Sequence, residues 1–351
     1  MDIRTKRQWI VIRDYMIGWT IAFLFLAIIR GIGTIEKSSL YFEFEEALIF
    51  SFIFGPFFGG ISGLAQNLLE KRYNQRVSIY RLIGLRLLYA LLFLFFLIFM
   101  AYLMVGHFYG KTEDFLAFAF GPGSIPIYLY ILTVDTLMLL TRQVNLMLGD
   151  NNLKKLLMGK FYNPREEERI FMFLDLQSST THAEHLGHLT YSRMIQDCFN
   201  DLGMVIENEA EIYQYVGDEV ILTWELKKGL RNQNCLKAFY TFQQRLHKKK
   251  GHYLAKYNCL PFFKAGLHSG KITVTEVGKY KKEIAYHGDT INTTARIQGQ
   301  CNTLNQELLI SQQLKEQLMT NGYDFKNMGS IPLRGKEKEV IVFGVTPTIP
   351  K

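Results

Sequence analysis

The stretch Ile212–Trp224, IYQYVGDEVILTW, places two carboxylates, Asp218 and Glu219, in a run otherwise apolar, aromatic or uncharged. Its flanks are rich in β-branched and aromatic residues, so the pattern predicts two strands joined by a tight Gly217-Asp218 turn. A purely structural hairpin leaves the acid at its tip in water. A functional one sets Asp218 against a second carboxylate, and the chain offers one upstream.

That second acid lies in RIFMFLDLQSSTTHAEHLG, Arg169–Gly187. FMFLDL reads as a buried central strand with a single acid, Asp175, near its end. A lone acid there is costly unless it is paired, hydrogen-bonded or bound to metal. A helix is expected to start through Ser178, Ser179 and Thr180 and to run to about Glu207. Strand, helix and hairpin open an α+β, ferredoxin-like βαββαβ sheet, with the first strand beside the second and third. Asp175 and Asp218 then converge at one sheet edge. Two carboxylates holding a pair of divalent ions are a recurring device of phosphoryl chemistry. The N–H groups opening the helix at Ser178 to Thr180 would face a polyphosphate.

A second constellation follows in AYHGDTINTTARIQGQCN, Ala285–Asn302. Asn292 and Arg296 are spaced i, i+4 and share one face of a helix expected to begin near Asp289. Arg suits a phosphate because its planar fork is always charged. Near the end, PLRGKEKEVIVFGV sets Lys336 in a Gly-containing turn before a last strand. Each feature alone reads more readily as a solvated side chain; with the paired acids the set is far more specific.

From about Glu166 to Thr348 the chain resembles the class III nucleotidyl cyclases, on FLDLQSST, YVGDEV, GDTINTTAR and RGKEKEV in the family's order. The resemblance implies that Asp175 and Asp218, with Leu176 in the metal-binding set, hold two Mg²⁺ or Mn²⁺ ions per active site. It implies that Asn292 orients the ribose, Arg296 stabilises charge on the α-phosphate and Lys336 grips the terminal phosphates. The family's acids come from one subunit and its Asn, Arg and Lys from the other, which implies a head-to-tail homodimer with two shared sites. The product would be a 3′,5′-cyclic nucleotide, with release of pyrophosphate.

At the family's two purine-reading positions this chain carries Gln214 and Ala285, a departure from both the adenylyl Lys/Asp and the guanylyl Glu/Cys pairs. An amide both donates and accepts, so Gln214 suits adenine or guanine. ATP is the expected substrate, as in an adenylate cyclase, because the Glu/Cys pair is absent; GTP stays open. Diguanylate cyclases share a similar Gly-Gly-Asp-Glu-Phe turn, but here Val216 replaces the first Gly and GDTINTTAR has no counterpart. A membrane sensor that binds nucleotide without turning it over also stays open.

The 351 residues have room for more than one domain, and the mean hydropathy of +0.04 hides a division. Four apolar runs, Met16–Ile32, Ala47–Ala65, Leu85–Val105 and Phe115–Leu140, are long enough for a bilayer core, which takes ~20 residues. Gly and Pro interrupt the second and fourth (FGPFFGG, FGPGSIP), and Asp135 is expected near the end of the fourth, snorkelling to the interface. Basic residues precede the first run, follow the fourth, and fill the loop between the second and third as Lys71, Arg72, Arg76, Arg81 and Arg86. By the positive-inside rule both termini and the catalytic domain are cytoplasmic, in a multi-pass plasma-membrane protein. The expected organisation is a four-helix transmembrane domain at 1–143, a helical segment at 144–165 closed by Pro164 that either couples the two parts or merely links them, and a cyclase domain at 166–351.

The net charge of +8 has no Lys/Arg stripe with interleaved aromatics, so no nucleic-acid partner is expected. HKKKGHYLAKY, His247–Tyr257, reads as a solvated helix end. Cys198, Cys235, Cys259 and Cys301 form no CxxC pair and read as reduced thiols. His182, His185 and His188, spaced by three, drift round a helix and read as a solvated face.

Overall fold

The computed structural model describes residues 3–31, 44–73, 78–109, 114–121, 124–149, 152–319, 321–332 and 339–348. They fall into two compact units that divide between Met147 and Leu148.

The first unit holds α1 (Ile3–Gly31), α2 (Phe44–Tyr73), α3 (Ile79–Tyr109), α4 (Phe115–Ala119) and α5 (Ser124–Leu148). Three segments, Thr5–Arg30, Phe44–Glu70 and Ser124–Leu148, are long and apolar enough to cross a membrane. Within α3, where the third run lies, the described residues carry a shorter apolar stretch, Ile83–Phe96. Ile21, Phe52, Leu92 and Leu129 are each 60–64% exposed, an arrangement that suits lipid and not water.

The two Gly/Pro interruptions behave differently. FGPFFGG lies inside the unbroken α2, Pro56 included. Gly55, Gly59 and Gly63 recur every four residues on one face, and α1 occupies the space their side chains would fill. A Cβ at Gly59 would stand 2.3 Å from the Met16 Cα, and one at Gly55 2.5 Å from the Thr20 Cα. Small residues at this spacing let membrane helices meet backbone to backbone. FGPGSIP does break the helix, because Gly121, Pro122 and Gly123 are three poor helix formers in a row. The expected Phe115–Leu140 span is therefore replaced by α4, ending at Ala119, and α5, running on to Leu148.

Two charges also sit elsewhere than expected. Arg86 is not a loop residue and Asp135 does not snorkel. Arg86 is 1% and Asp135 5% exposed, and they pair inside the helical unit. A charge in a lipid-facing bundle needs a partner or water, and here the partner was 49 residues away.

The second unit opens with α6 (Asn152–Leu157), then β1 (Arg165–Leu176), α7 (Ser179–Leu202), β2 (Glu211–Val216), β3 (Glu219–Glu225), α8 (Leu226–Leu230), α9 (Asn234–Lys248) and α10 (Lys250–Tyr257). It continues with β4 (Phe263–Val277), β5 (Glu283–His287), α11 (Asp289–Gly299), β6 (Leu308–Ser311), α12 (Gln312–Gln317), β7 (Tyr323–Ile331) and β8 (Val340–Pro347). Strand order is β2-β3-β1-β4-β6-β8-β7, with β5 paired to β4. The first four strands with α7 and α9 make the expected ferredoxin-like core. β1 lies between β3 and β4, with β2 outermost. Asp175 is thus on an interior strand, while Asp218 sits in the turn that joins the outermost strand β2 to β3.

β1 is buried on both faces, as FMFLDL implies. Ile170, Met172 and Leu174 join Met194 of α7 and Phe242 of α9 on one face. Phe171 and Phe173 join Ile221, Ile272 and Ala295 of α11 on the other. Gly266 and Gly270 seat α11 directly on β4: a Cβ at Gly266 would lie 2.3 Å from the Gln298 backbone N, and one at Gly270 2.5 Å from Thr290 Oγ1.

The coupling segment is partly absorbed into this unit. Phe161 is buried in the cluster with Phe171 and Phe173. Most of HKKKGHYLAKY is exposed, as expected of a solvated helix end. It closes α9 and forms α10, whose Tyr253 and Tyr257 are buried while Lys249 and Lys256 pair with Asp201 and Asp197 of α7. Burial of two tyrosine rings gives the basic segment an apolar face that its composition masks. The four cysteines are free thiols, three of them buried. His185 and His188 are exposed.

Candidate active site

Asp175 is half-buried near the end of β1 and lies opposite Glu219 of β3 and Lys264 of β4 in the strand register. Asp218 occupies the two-residue turn between β2 and β3. The positive φ of that turn, 63°, falls on Gly217, where no Cβ opposes it. Strand and turn bring the two acids within each other's field. Burial, then the Asp218 carboxylate, raises the Asp175 pKa above its ordinary range. Burial, Asp175 and Asp218 together push Glu219 up to about 7. Three half-buried carboxyls this close make a place where a cation relieves repulsion. Among the described residues no group of three or more His, Cys, Asp or Glu forms a complete cage. Two carboxylates, Asp175 and Asp218, fit hard divalent ions that take remaining ligands from phosphate and water. Leu176, next in β1, is buried, and a backbone hydrogen bond at Leu176 favours the charged form of Asp175.

The turn after β1 departs from expectation. Ser178 has left-handed backbone (φ 57°) and its hydroxyl makes no capping bond; α7 starts at Ser179. The Gln177 N–H donates to the Phe262 carbonyl at 2.9 Å, so the chain is still held to the strand beside it when it turns. Ser179 is half-buried, Ser178 and Thr180 are exposed, and the first N–H groups of α7 have no intrahelical acceptor. The helix kinks at Gly187 (φ 71°) and ends at Leu202, short of Glu207, followed by a 3₁₀ turn at Gly203–Asn208.

Asn292 and Arg296 lie on α11, exposed and half-buried respectively. Gln214 is exposed in β2, just after a bulge between Ile212 and Gln214 that sets it opposite Ile221. Ile221 pairs with Phe173, so Gln214 shares the sheet face of Asp175. Ala285 lies in β5 opposite Thr275. The neighbouring residues join the two strands, the Tyr213 and Tyr286 rings being 4.7 Å apart. Lys336 lies outside the described residues.

Residues 161–346, just over half of the chain, match the family described as Adenylate and Guanylate cyclase catalytic domain. The chain belongs to that family. Adenylate cyclase 2 of Rhizobium meliloti (strain 1021) is 30% identical over 225 residues, 64% of this chain. The match spans 62% of that relative's own length. A bacterial light-regulated adenylyl cyclase superposes with a TM-score of 0.56 at 18% identity, over 65% of this chain and 67% of that one. A second structure of a bacterial light-regulated adenylyl cyclase gives 0.54 at 17%, over 67% and 66%. These likenesses establish the cyclase fold, and the family as a whole generally uses divalent metal ions.

The cyclase geometry adds residues that the sequence reading passed over. Tyr191 of α7 places its hydroxyl beside Ser179 and Asp218, and burial with the Asp218 charge pushes it up to about 12. Nothing in its spacing marks it. Gln298 reaches Asp175, with Nε2 to Oδ2 at 3.4 Å. Its signal was only its place on the helix of Asn292 and Arg296. Glu219 was visible beside Asp218, but its position opposite Asp175 required the register of β1 and β3.

Proposed function

We propose that this chain is a membrane-bound adenylate cyclase that converts ATP to 3′,5′-cyclic AMP and pyrophosphate at sites shared within a homodimer. The observation that carries the reading is the meeting of Asp175, at the end of a central strand, and Asp218, whose carboxylate raises the cost of the Asp175 charge. The name of the Rhizobium meliloti relative supports ATP as substrate.

Asp175 and Asp218 bind the metals, with Leu176 beside them. Divalent ions, when bound, supply hydroxyl activation and neutralise triphosphate charge. Ser178, Ser179 and Thr180 present the start of α7 to the polyphosphate. From the partner subunit, Asn292 positions the ribose so that the 3′-oxygen faces the α-phosphorus. Arg296 donates to the α-phosphate oxygens as charge grows there, and Lys336 holds the terminal phosphates. Gln214, with Ala285 leaving room, reads the purine edge. The helices of the first unit anchor the chain, with both termini on the cytoplasmic side.

The test is pyrophosphate release from the purified full chain with Mn²⁺ and either ATP or GTP. Cyclic AMP with ATP, faster than any GTP product, is the expected result. Equal or greater turnover of GTP reassigns the substrate. Nucleotide binding without pyrophosphate release makes the chain a nucleotide sensor and overturns the reading.

A further inference from the structure

The end of α11 is pinned to three successive residues of β4. Gly266 leaves its Cβ space to the Gln298 backbone. Cys301 Sγ donates to the Ala265 carbonyl at 3.3 Å. Lys264 Nζ, on a side chain 8% exposed, donates to Asn302 Oδ1 at 2.9 Å. Lys264 is the residue directly opposite Asp175 across β1 and β4. With its backbone fixed in this way, Gln298 extends its amide to Asp175 Oδ2.

Asn292 and Arg296 lie elsewhere on the helix. At 3.6 residues per turn, Gln298 is roughly 200° round from Arg296. Thr293, Thr294 and Ile297 occupy the buried face between them. The helix therefore turns Gln298 towards its own chain's Asp175 while Asn292 remains exposed.

We propose that Gln298 is a positioning residue that orients Asp175 for divalent-ion binding in its own chain's half-site, while Asn292 and Arg296 of the same helix serve the other half-site of the dimer. The second clause rests on the shared-site reading above; the first does not. An amide suits the role. It donates to one carboxylate oxygen, fixes the rotamer, and adds no charge beside two acids. Groups that orient a metal ligand from behind typically change metal affinity 10–100-fold when removed.

The test compares wild type with Gln298→Met, which keeps length and loses the donor. Free Mn²⁺ is followed by electron paramagnetic resonance during titration of the full chain without nucleotide. About ten-fold weaker Mn²⁺ binding is expected, with an unchanged thermal midpoint. Unchanged affinity overturns the proposal, and so does a loss that merely follows a fall in folded protein.

A mixed dimer locates the effect. Arg296→Ala chains supply the acids and Asp175→Ala chains supply Asn292 and Arg296, leaving one competent site. Gln298→Met added to the Arg296→Ala chain should raise the Mn²⁺ needed for half-maximal rate about ten-fold, with little change in rate at saturation. The same change in the Asp175→Ala chain should leave that concentration unmoved. Equal effects in both arms overturn the assignment to the chain's own half-site. If the parent mixture is inactive after proven subunit exchange, the shared-site reading fails, and the titration still decides Gln298.

Discussion

Arg86 and Asp135 form a two-pronged ion pair inside the helical unit, with Nε to Oδ2 and Nη2 to Oδ1 both at 2.8 Å. Ser62 Oγ donates to Asp135 Oδ1 at 2.8 Å, and the guanidinium lies 5.5 Å from the centres of the Tyr15 and Tyr89 rings. Residues from α1, α2, α3 and α5 thus meet at one charge pair. Nearer the end of α5, Arg142 Nε donates to Glu70 Oε1 of α2 at 2.8 Å, a second tie between α2 and α5 after Ser62–Asp135.

Removing one member of the buried pair should be worse than removing both. Arg86→Met leaves a buried carboxylate without its partner and should cost about 3–5 kcal/mol. Arg86→Met combined with Asp135→Leu should recover most of that loss. Thermal unfolding of the purified full chain in detergent measures both. A double variant as unstable as the sum of the singles would show that the pair does not act as a unit.

Gly266→Ala should damage activity through α11. Its Cβ would meet the Gln298 backbone, which cannot swing aside as a side-chain end can. Overpacking of this kind costs about 1–3 kcal/mol. Displacement of the helix carrying Asn292 and Arg296 by even about 1 Å is worth roughly a hundred-fold in rate. Cyclic nucleotide formation at saturating Mn²⁺ reads the effect; near-normal turnover would mean that α11 tolerates the shift.

Asp175→Ala and Arg296→Ala, each inactive alone, should regain activity when mixed. One site of the hybrid dimer then holds both acids and both helix residues. Statistical pairing limits recovery to a fraction of the wild-type rate. Demonstrated subunit exchange without restored turnover would disprove the shared site.

Gln214 lies on the face of Asp175 and is exposed to whatever binds there. Gln214→Lys should favour ATP, because an ammonium only donates and cannot accept from the guanine N1–H. Gln214→Glu should push towards GTP. One hydrogen bond in a closed pocket is worth on the order of 1 kcal/mol, several-fold in relative kcat/KM. The ratio of kcat/KM for ATP and GTP, measured in wild type and both variants, reads the effect. An unchanged ratio removes Gln214 from the purine pocket.

Glu219 gives the site a pH signature. Burial, Asp175 and Asp218 hold its pKa near 7, above the ordinary 4.5. The folded state therefore binds more protons than the unfolded one across that interval. Stability from this group is complete below about 4.5 and is lost as pH rises through about 7. Glu219→Gln should flatten the decline in metal-free unfolding midpoint between those values. A decline as steep as in wild type would place its origin elsewhere.

The catalytic fold was legible because its signals are local. FMFLDL is apolar enough to be buried on both faces, and GD between β-branched runs specifies a tight hairpin. Asp175, Asp218, Asn292 and Arg296 each sit at the end, turn or helix that the pattern assigned. In HKKKGHYLAKY the lysines mark the solvated face and hide the two tyrosines that dock the segment.

The amino-acid sequence by itself determined the division into an apolar helical part and a cyclase domain, and the residue types of the site. Those follow from composition and short-range periodicity, which act within a few turns or strands. Tertiary structure alone decided the partners. Asp135 found Arg86 across 49 residues, and Gln298 found Asp175 across 123. Gly55, Gly59 and Gly63 became a seat for α1 and not a break. The physical reason is common to all three. A buried charge, an amide and a missing side chain are each neutral about where they belong until the packing of other elements supplies the group that satisfies them.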